Sequence, residues 1–378
     1  MNYPLCSYCM RRHSKHPYVT KCKSDSDCFA CAGAMGKILS LCQEAAGLAK
    51  AYEWDTFIVQ STFDKKLLAR EEELLDNEPI EDTMAIKNDV NKIAIKHLEK
   101  LTSKKSGGND SQMIFNLDFK NMRAKANSSN LFIFGHYIKK SREYCQHDWA
   151  CSACNGKGCK KCNFHAQNYP SIETAFRKVF APAFGAADCY LHASGREDVD
   201  VMSLGTGRPF VIELTHPRKR HANLQALADE LKANSPIEAL GLMYCKNFWI
   251  ETVCTSHFDK HYMATISAER ALNDADYKLL SLNLPLLLQQ RTPIRVLKRR
   301  ADLIRHRRIY DLQSEPCEDG KLKLAIWAEA GTYIKEFIHG DTGRTVPSVS
   351  SMLQTPCKCD QLDVMGVDDF FIKTLRKS

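Results

Sequence analysis

Seven residues, Gly195-Arg196-Glu197-Asp198-Val199-Asp200-Val201, carry three acids and an arginine between two turn signals, Ser194-Gly195 and Gly205-Thr206-Gly207-Arg208-Pro209. If the segment is extended, period-two alternation turns Val199 and Val201 to one face and Asp198 and Asp200 to the other. Two carboxylates on one face repel unless a cation sits between them or one of them does chemistry. From this stretch alone two readings stand level: an acidic, solvated strand edge, or a carboxylate site.

Cysteine is the other residue type placed for chemistry. Cys6-x-x-Cys9 and Cys28-x-x-Cys31 form one set of four, and Cys151-x-x-Cys154 with Cys159-x-x-Cys162 a second, tighter one. Each Cys-x-x-Cys turn presents two thiolates from one knuckle, and two such turns complete a zinc tetrahedron. Structural zinc, one or two ions, is therefore expected, with Cys22 a spare ligand for the first set. In the second set Gly156 and Gly158 allow the close backbone turn, and Lys157, Lys160 and Lys161 offer positive charge to phosphate. A redox-active pair is the alternative there.

The elements that must position these residues follow from periodicity. Lys37–Glu53, Leu67–Leu75 and Ala85–Leu101 read as helices, and Thr56–Gln60, Met113–Phe119 and Leu131–Tyr137 as strands. Phe210–Leu214 is a β-branched and aromatic strand. Ser171–Val179 and Leu224–Asn234 are helices, the first with Ser171 as a cap candidate. Lys260–Ala264 has β character, and alternating Leu322, Leu324 and Ile326 give a strand. At 378 residues the chain can bury more than one core, so two domains are expected: 1–145 and 146–378, with the 151–162 knuckle opening the second.

The densest basic run is Gln289–Arg308, where Arg291, Arg295, Lys298, Arg299, Arg300, Arg305, Arg307 and Arg308 face one acid, Asp302. Interleaved Val296, Leu297, Leu303 and Ile304 imply an element packed on one side and cationic on the other, as a phosphate-tracking surface needs. Lone lysines would be read as a solvated face; interleaved arginines favour nucleic acid. The net charge of +8 leans the same way. No apolar run can span a bilayer, and the N-terminus opens with Pro4, Cys6 and basic residues instead of a signal region. A soluble, intracellular protein is expected, cytoplasmic or nuclear, with no membrane contact and no obligate protein partner.

Gly-Arg-Glu-Asp resembles the Gly-Arg-Thr-Asp signature of pseudouridine synthases, and Gly195–Leu214 closely resembles the Pus-ten family, enzymes acting on the TΨC loop of tRNA. The similarity runs from the first cysteine pair to Leu362-Asp363-Val364, and Ala330–Thr345 is its other specific part. What the resemblance implies is a pseudouridine-synthase catalytic fold of the α+β class: a mixed or antiparallel sheet core with helices. An N-terminal zinc-containing, THUMP-like α/β accessory domain would precede it. Asp198 corresponds to the nucleophile, and Arg196 to the side chain filling the space left by a flipped nucleotide. Tyr262, in Lys-x-Tyr-x-Ala, resembles the tyrosine that stacks on the flipped base. Lys335, in Gly-Thr-Tyr-Ile-Lys, resembles the basic partner of the aspartate, a cation that a carboxylate secluded under a base requires. Leu362 resembles the apolar residue beneath the target base. Arg208, Arg295, Arg299, Arg300 and Arg344 are expected to contact the RNA. The family usually has arginine where this chain has Met202. The implied activity is isomerisation of uridine to pseudouridine in tRNA, at one or both TΨC-loop uridines, by a monomer without a catalytic cofactor. The competing readings are a non-catalytic zinc-containing tRNA-binding or RNA-folding protein, and an Hsp40-like co-chaperone, suggested by one glycine-cysteine repeat.

Overall fold

The structure, a computed structural model, describes residues 2–76, 85–282, 284–317 and 319–370. These fall into two compact units. One runs up to Leu131 and adds Ala183–Ala187 and Thr215–Ala222; the other holds Phe132–Pro182, Asp188–Leu214 and the chain from Asn223 onward. The strand that starts at Leu131 joins the second unit's sheet.

In the first unit, β1 (Tyr3–Leu5) and β2 (Val19–Lys21) form a parallel pair. A four-stranded sheet has the order β4-β3-β5-β6, from β3 (Thr56–Thr62), β4 (Lys105–Ser106), β5 (Met113–Asp118) and β6 (Arg123–Ser128). Alternation decides its faces: Met113, Phe115 and Leu117 of β5 are buried while the residues between them are not. Helices Ile38–Ala49 and Ile86–Thr102 supply the other layer. Their buried residues, Ile38, Leu41, Cys42, Ala45 and Ala49, and Ile86, Val90, Ala94 and Leu98, make one stripe on each helix. Phe57 and Phe115, edge to face at 5.4 Å, are fully buried and contribute about 2–3 kcal/mol each.

The second unit is built on one ten-stranded sheet. Its strands are β7 (Leu131–Lys139), β8 (Asp188–Ala193), β9 (Met202–Thr215), β10 (Ile237–Cys245), β11 (Lys260–Ala268), β12 (Leu286–Arg291), β13 (Ile304–Pro316), β14 (Leu322–Ala328), β15 (Thr345–Val346) and β16 (Cys357–Val367). The order is β10-β7-β9-β16-β11-β14-β13-β12-β15, with β8 paired to β9. Most pairings described are antiparallel; β16 runs parallel to β9 at Asp363↔Met202 and Val364↔Ser203. The α+β class is as expected. Gly205 shows how closely β9 and β16 approach. A Cβ there would stand 1.7 Å from the Met365 carbonyl oxygen, and its φ is +59°, so only glycine fits.

Two local expectations change. Residues 196–198 and 201 are irregular, and 199–200 a turn closed by Val201 N–H donating to the Asp198 carbonyl at 3.1 Å. The acidic stretch is therefore a loop, although Glu197 and Val201 still point inward. The basic run is no single element with a packed side. It comprises the end of β12, a short turn at Ile294–Val296, a loop and the start of β13, and Ile294, Leu303 and Ile304 are each more than half exposed.

Candidate active site

The loop between β8 and β9 is held by buried charge. Glu197 points into the protein and pairs with Arg208 of β9 (Nε to Oε2, 2.8 Å), both about 98% buried. Tyr137 of β7 donates its hydroxyl to the same carboxylate at 2.9 Å, and Gln146 donates to the Tyr137 oxygen and the Gly195 carbonyl, each at 2.9 Å. Burial raises the Tyr137 hydroxyl well above its ordinary pKa, and the Glu197 charge adds to this. Arg208 Nη1 donates to the Ser194 carbonyl at 2.7 Å. Gly195 has φ +76°, and a Cβ there would lie 3.1 Å from Arg208 Nη1.

Two further cations fix the rest of the loop. Lys139, fully buried at the end of β7, donates to the carbonyls of Tyr144 (2.8 Å), Asp198 (3.2 Å) and Val199 (2.9 Å). An ammonium has three N–H bonds, so these carbonyls satisfy it completely. Burial lowers its pKa, against the opposing pull of Glu197. Arg142 donates to the Asp200 carbonyl at 2.8 Å and reaches β16 through the Leu362 carbonyl (3.3 Å) and the Asp363 carboxylate (2.8 Å).

With the backbone held, the Asp198 and Asp200 side chains point outward to a facing pair of cations. Helix Ile334–His339 presents Lys335, whose Nζ lies 2.8 Å from Asp200 Oδ2 and 3.4 Å from Asp198 Oδ2. Arg295 stands between Glu336, bound at 2.7 Å, and Asp198, at 3.2 Å. Burial works to raise the Asp200 carboxyl, but the Lys335 hydrogen bonds and charge outweigh it and hold the group below its ordinary value. Buried Gln290 of β12 anchors the start of this helix: its amide donates to the Tyr333 carbonyl and accepts from the Tyr333 N–H, both at 3.0 Å. Arg300 donates to the Tyr333 hydroxyl at 3.3 Å.

The structure brings together Asp198, Lys335 and Arg295, with exposed Arg196 on the same loop. Tyr262 of β11 is half-buried and in register with Val364, which pairs in turn with Ser203, two residues beyond the loop. Desolvation pushes its hydroxyl up to about 12, against the nearby Arg208 charge. Lys260, two residues earlier, donates to the Phe258 carbonyl at 2.6 Å. Burial, helped by Arg208, holds its ammonium down to about 8. Leu362 is buried in the core on β16, paired with Ala264. Arg299 is exposed, its guanidinium 5.7 Å from the Trp149 ring centroid.

Arg208 and Arg344, both expected at the RNA, are engaged within the protein. Arg208 is buried against Glu197, so it secures the loop and offers nothing to phosphate. Arg344 is largely buried and donates to the Thr292 carbonyl and to Asp302, bracing the basic loop from inside. Sequence reasoning passed over Lys139, Arg142, Gln146, Glu197 and Glu336. Lys139 had a signal, since Leu131, Ile133 and Tyr137 set the inward face of β7 and Lys139 keeps that period.

In each cysteine set the sulfurs lie within 4.8 Å of one another. Cys6 and Cys31 are 3.7 Å apart, Cys154 and Cys162 3.9 Å, and Cys159 and Cys162 3.8 Å. A tetrahedron with Zn–S bonds of about 2.3 Å places sulfurs about 3.8 Å apart, so both sets fit zinc. Disulfide bonds would need sulfurs at about 2.05 Å. The first set is wholly buried; in the second Cys154 and Cys159 are half-buried, and the Cys159 amide holds the Cys162 thiol down to about 7. Among the described residues no helix is long and apolar enough to cross a membrane.

Known proteins resemble this chain over most of its length. The family model described as Pus10, C-terminal, matches residues 132–368, starting where the second unit starts. The tRNA pseudouridine synthase Pus10 of Methanocaldococcus jannaschii is 34% identical over 348 residues, covering 91% of this chain and 76% of that protein. Its namesake from Archaeoglobus fulgidus is 35% identical over 342 residues, covering 90% and 94%. Among solved structures, a Cbf5-Nop10-Gar1 complex aligns at 13% identity with a TM-score of 0.33, over 62% of this chain and 48% of that one.

Proposed function

The chain belongs to the Pus10 family, whose curated members are named tRNA pseudouridine synthases, and from that premise we propose that it isomerises uridine to pseudouridine in the TΨC loop of tRNA. The observation that carries this reading is the placement of Asp198. Its backbone is fixed from behind by Lys139, while its carboxylate stands 44% exposed between Arg295 and Lys335.

In this reading the target uridine leaves its stack, at a cost of a few kcal/mol that phosphate contacts offset. Asp198 initiates cleavage of the bond between uracil N1 and the ribose. The freed uracil turns, carbon 5 bonds to the ribose carbon that N1 left, and the carbon-5 proton is lost while N1 gains one. Atoms and electrons balance without a cofactor. Lys335 and Arg295 orient the carboxylate, Tyr262 stacks on the flipped base, Arg196 fills the vacated space, and Leu362 supports the base from the core. Arg300 serves the phosphates, with Arg299 beside it adding positive charge. The first unit acts as a THUMP-like RNA-binding accessory, and the protein works as a monomer.

Zinc, held by Cys6, Cys9, Cys28 and Cys31 and by Cys151, Cys154, Cys159 and Cys162, would act as a structural brace, with no step routed through it. Protein purified without added metal should carry two zinc ions by elemental analysis; folded protein with none would remove this assignment. For the activity, the protein is incubated with an unmodified tRNA transcript and pseudouridine is mapped by carbodiimide-dependent primer-extension stops. Stops in the TΨC loop are expected. Tight tRNA binding without any stop would favour the non-catalytic RNA-binding alternative.

A further inference from the structure

Residues 147–170 leave the second unit as a loop closed at its base and open at its tip. The isolated bridge Ala150↔Gln167 and the Asn168 N–H donating to the Trp149 carbonyl at 2.9 Å hold its two sides together. Asp148 ties the base to the helix Ile172–Phe184, accepting from Ser171, from Thr174 and from Arg177 at 2.7 Å. The second cysteine set forms the tip. Aromatic rings lie open along this loop: Trp149 is 37% exposed, Tyr169 41% and Phe164 71%. Trp149 and Tyr169 adjoin with centroids 5.8 Å apart and planes tilted by 46°, and Arg299 covers the Trp149 ring at 5.7 Å.

Water is a poor neighbour for the exposed parts of these rings. The surrounding charge indicates what could cover them. Lys157, Lys160 and Lys161 are exposed, and among the described residues no carboxylate pairs with them or with Arg299. By contrast Arg291, Arg295, Arg307 and Arg344 are all paired with acids. Exposed rings beside cations that no carboxylate neutralises suit a partner that is both aromatic and anionic, which is an unstacked nucleotide. The location adds a second argument. Arg299 follows Arg295 by four residues, in a turn where the Arg299 N–H donates to the Val296 carbonyl at 2.9 Å, and Arg295 touches Asp198.

We propose that Trp149, Tyr169 and Arg299 form a platform for a second unstacked base of the substrate RNA, with Lys157, Lys160 and Lys161 on the adjoining phosphates. This rests on the reading of tRNA as substrate. Extracting the target uridine deprives its neighbours of stacking, and the platform takes one of them, so that two bases are held while one reacts. The cysteine knuckle is then a brace for an RNA-binding surface as well as for the fold.

The test uses the full-length protein and tRNA transcribed with 5-iodouridine, which cross-links under light to aromatic side chains in contact with it. Cross-linked peptides containing Trp149 or Tyr169 are expected. In steady-state assays on ordinary tRNA, Trp149→Ala should raise KM about fivefold to a hundredfold, with the loss falling on KM and not kcat, and Trp149→Phe should restore most of it. Absence of those cross-links, with the KM of Trp149→Ala within about twofold of wild type, would overturn the proposal. A raised KM accompanied by lost zinc or a lowered melt, still without cross-links, would also overturn it, since the tryptophan would then be structural. If wild type forms no pseudouridine but the cross-links appear, the platform stands and the catalytic reading fails.

Discussion

The two sides of the candidate site are built in opposite ways. The acidic loop of seven residues and the Ser194 before it have carbonyls bound at Ser194, Gly195, Asp198, Val199 and Asp200, each accepting from Arg208, Gln146, Lys139 or Arg142. The arginine segment from 291 to 308 leaves Ile294, Leu303 and Ile304 more than half exposed, and the Arg299 head in the open. A reacting carboxylate must be placed to within a fraction of an ångström, and buried charge gives that rigidity despite its desolvation cost. A surface that follows a flexible polyanion gains from long side chains that can adjust. Precision and adaptability are assigned to different stretches of chain.

The largest expected effect is on the rigid side. Asp198→Asn keeps the volume and removes the carboxylate, and should lower pseudouridine formation by about a thousandfold or more while tRNA affinity stays nearly intact. Asp200→Asn should retain activity within about tenfold, since that residue binds Lys335 without facing Arg295. Activity surviving at 198 and lost at 200 would reverse the roles. Thermal melts must accompany both variants to exclude unfolding.

Next comes the anchor. Glu197→Gln leaves Arg208 charged, buried and unpaired, a change that typically costs about 3–5 kcal/mol. For a unit of this size that lowers the melting temperature by roughly 6–20 °C. A wild-type melt would show that the loop is held some other way. On the adaptable side, Arg299→Gln with Arg300→Gln should spare the melt, weaken tRNA binding, and flatten the log-log salt dependence by about one to two. An unchanged slope would mean that these arginines are merely solvated.

The smallest effect is a pH dependence. Lys260 has its ammonium held down to about 8, whereas the unfolded chain protonates it near 10.4. Between those values the unfolded state binds more protons, so stability rises with pH across that window and the penalty is fully present below it. Lys260→Met should therefore be more stable than wild type at pH 7 by roughly 1–3 kcal/mol, and the gap should close by pH 10.5. A constant gap would place the lysine outside the buried network.

Legibility in the sequence followed the range of the interactions. Helix Leu224–Asn234 has the bounds its periodicity predicts, and Ser171 caps the next-earlier helix through its hydroxyl, which accepts from the Thr174 N–H. Both depend on neighbours three or four residues away. Both cysteine groupings were likewise open to spacing, whereas the α+β class came from the family resemblance. The Arg208–Glu197 pair was open to neither: an arginine beside Gly205-Thr-Gly reads as an exposed turn cation unless the chain is known to fold it inward. Nor could alternation foresee that Asp198–Val201 closes a turn, since the carbonyls there are drawn by Lys139 and Arg142 from about 60 residues away. The pairing of β7 with β10, a hundred residues later, was beyond sequence for the same reason.

One pairing also has a consequence in time. Among the described strands of the sheet β16 comes last in the chain, yet it lies in the middle, between β9 and β11. Until Cys357–Val367 leaves the ribosome, both neighbours keep open edges, and Arg142 lacks the Leu362 carbonyl and the Asp363 carboxylate that steady it. A nascent chain halted at residue 350 already contains Asp198, Arg295 and Lys335 but lacks the strand that ties Arg142 to the sheet. A product truncated before Cys357 would leave those edges exposed to aggregation.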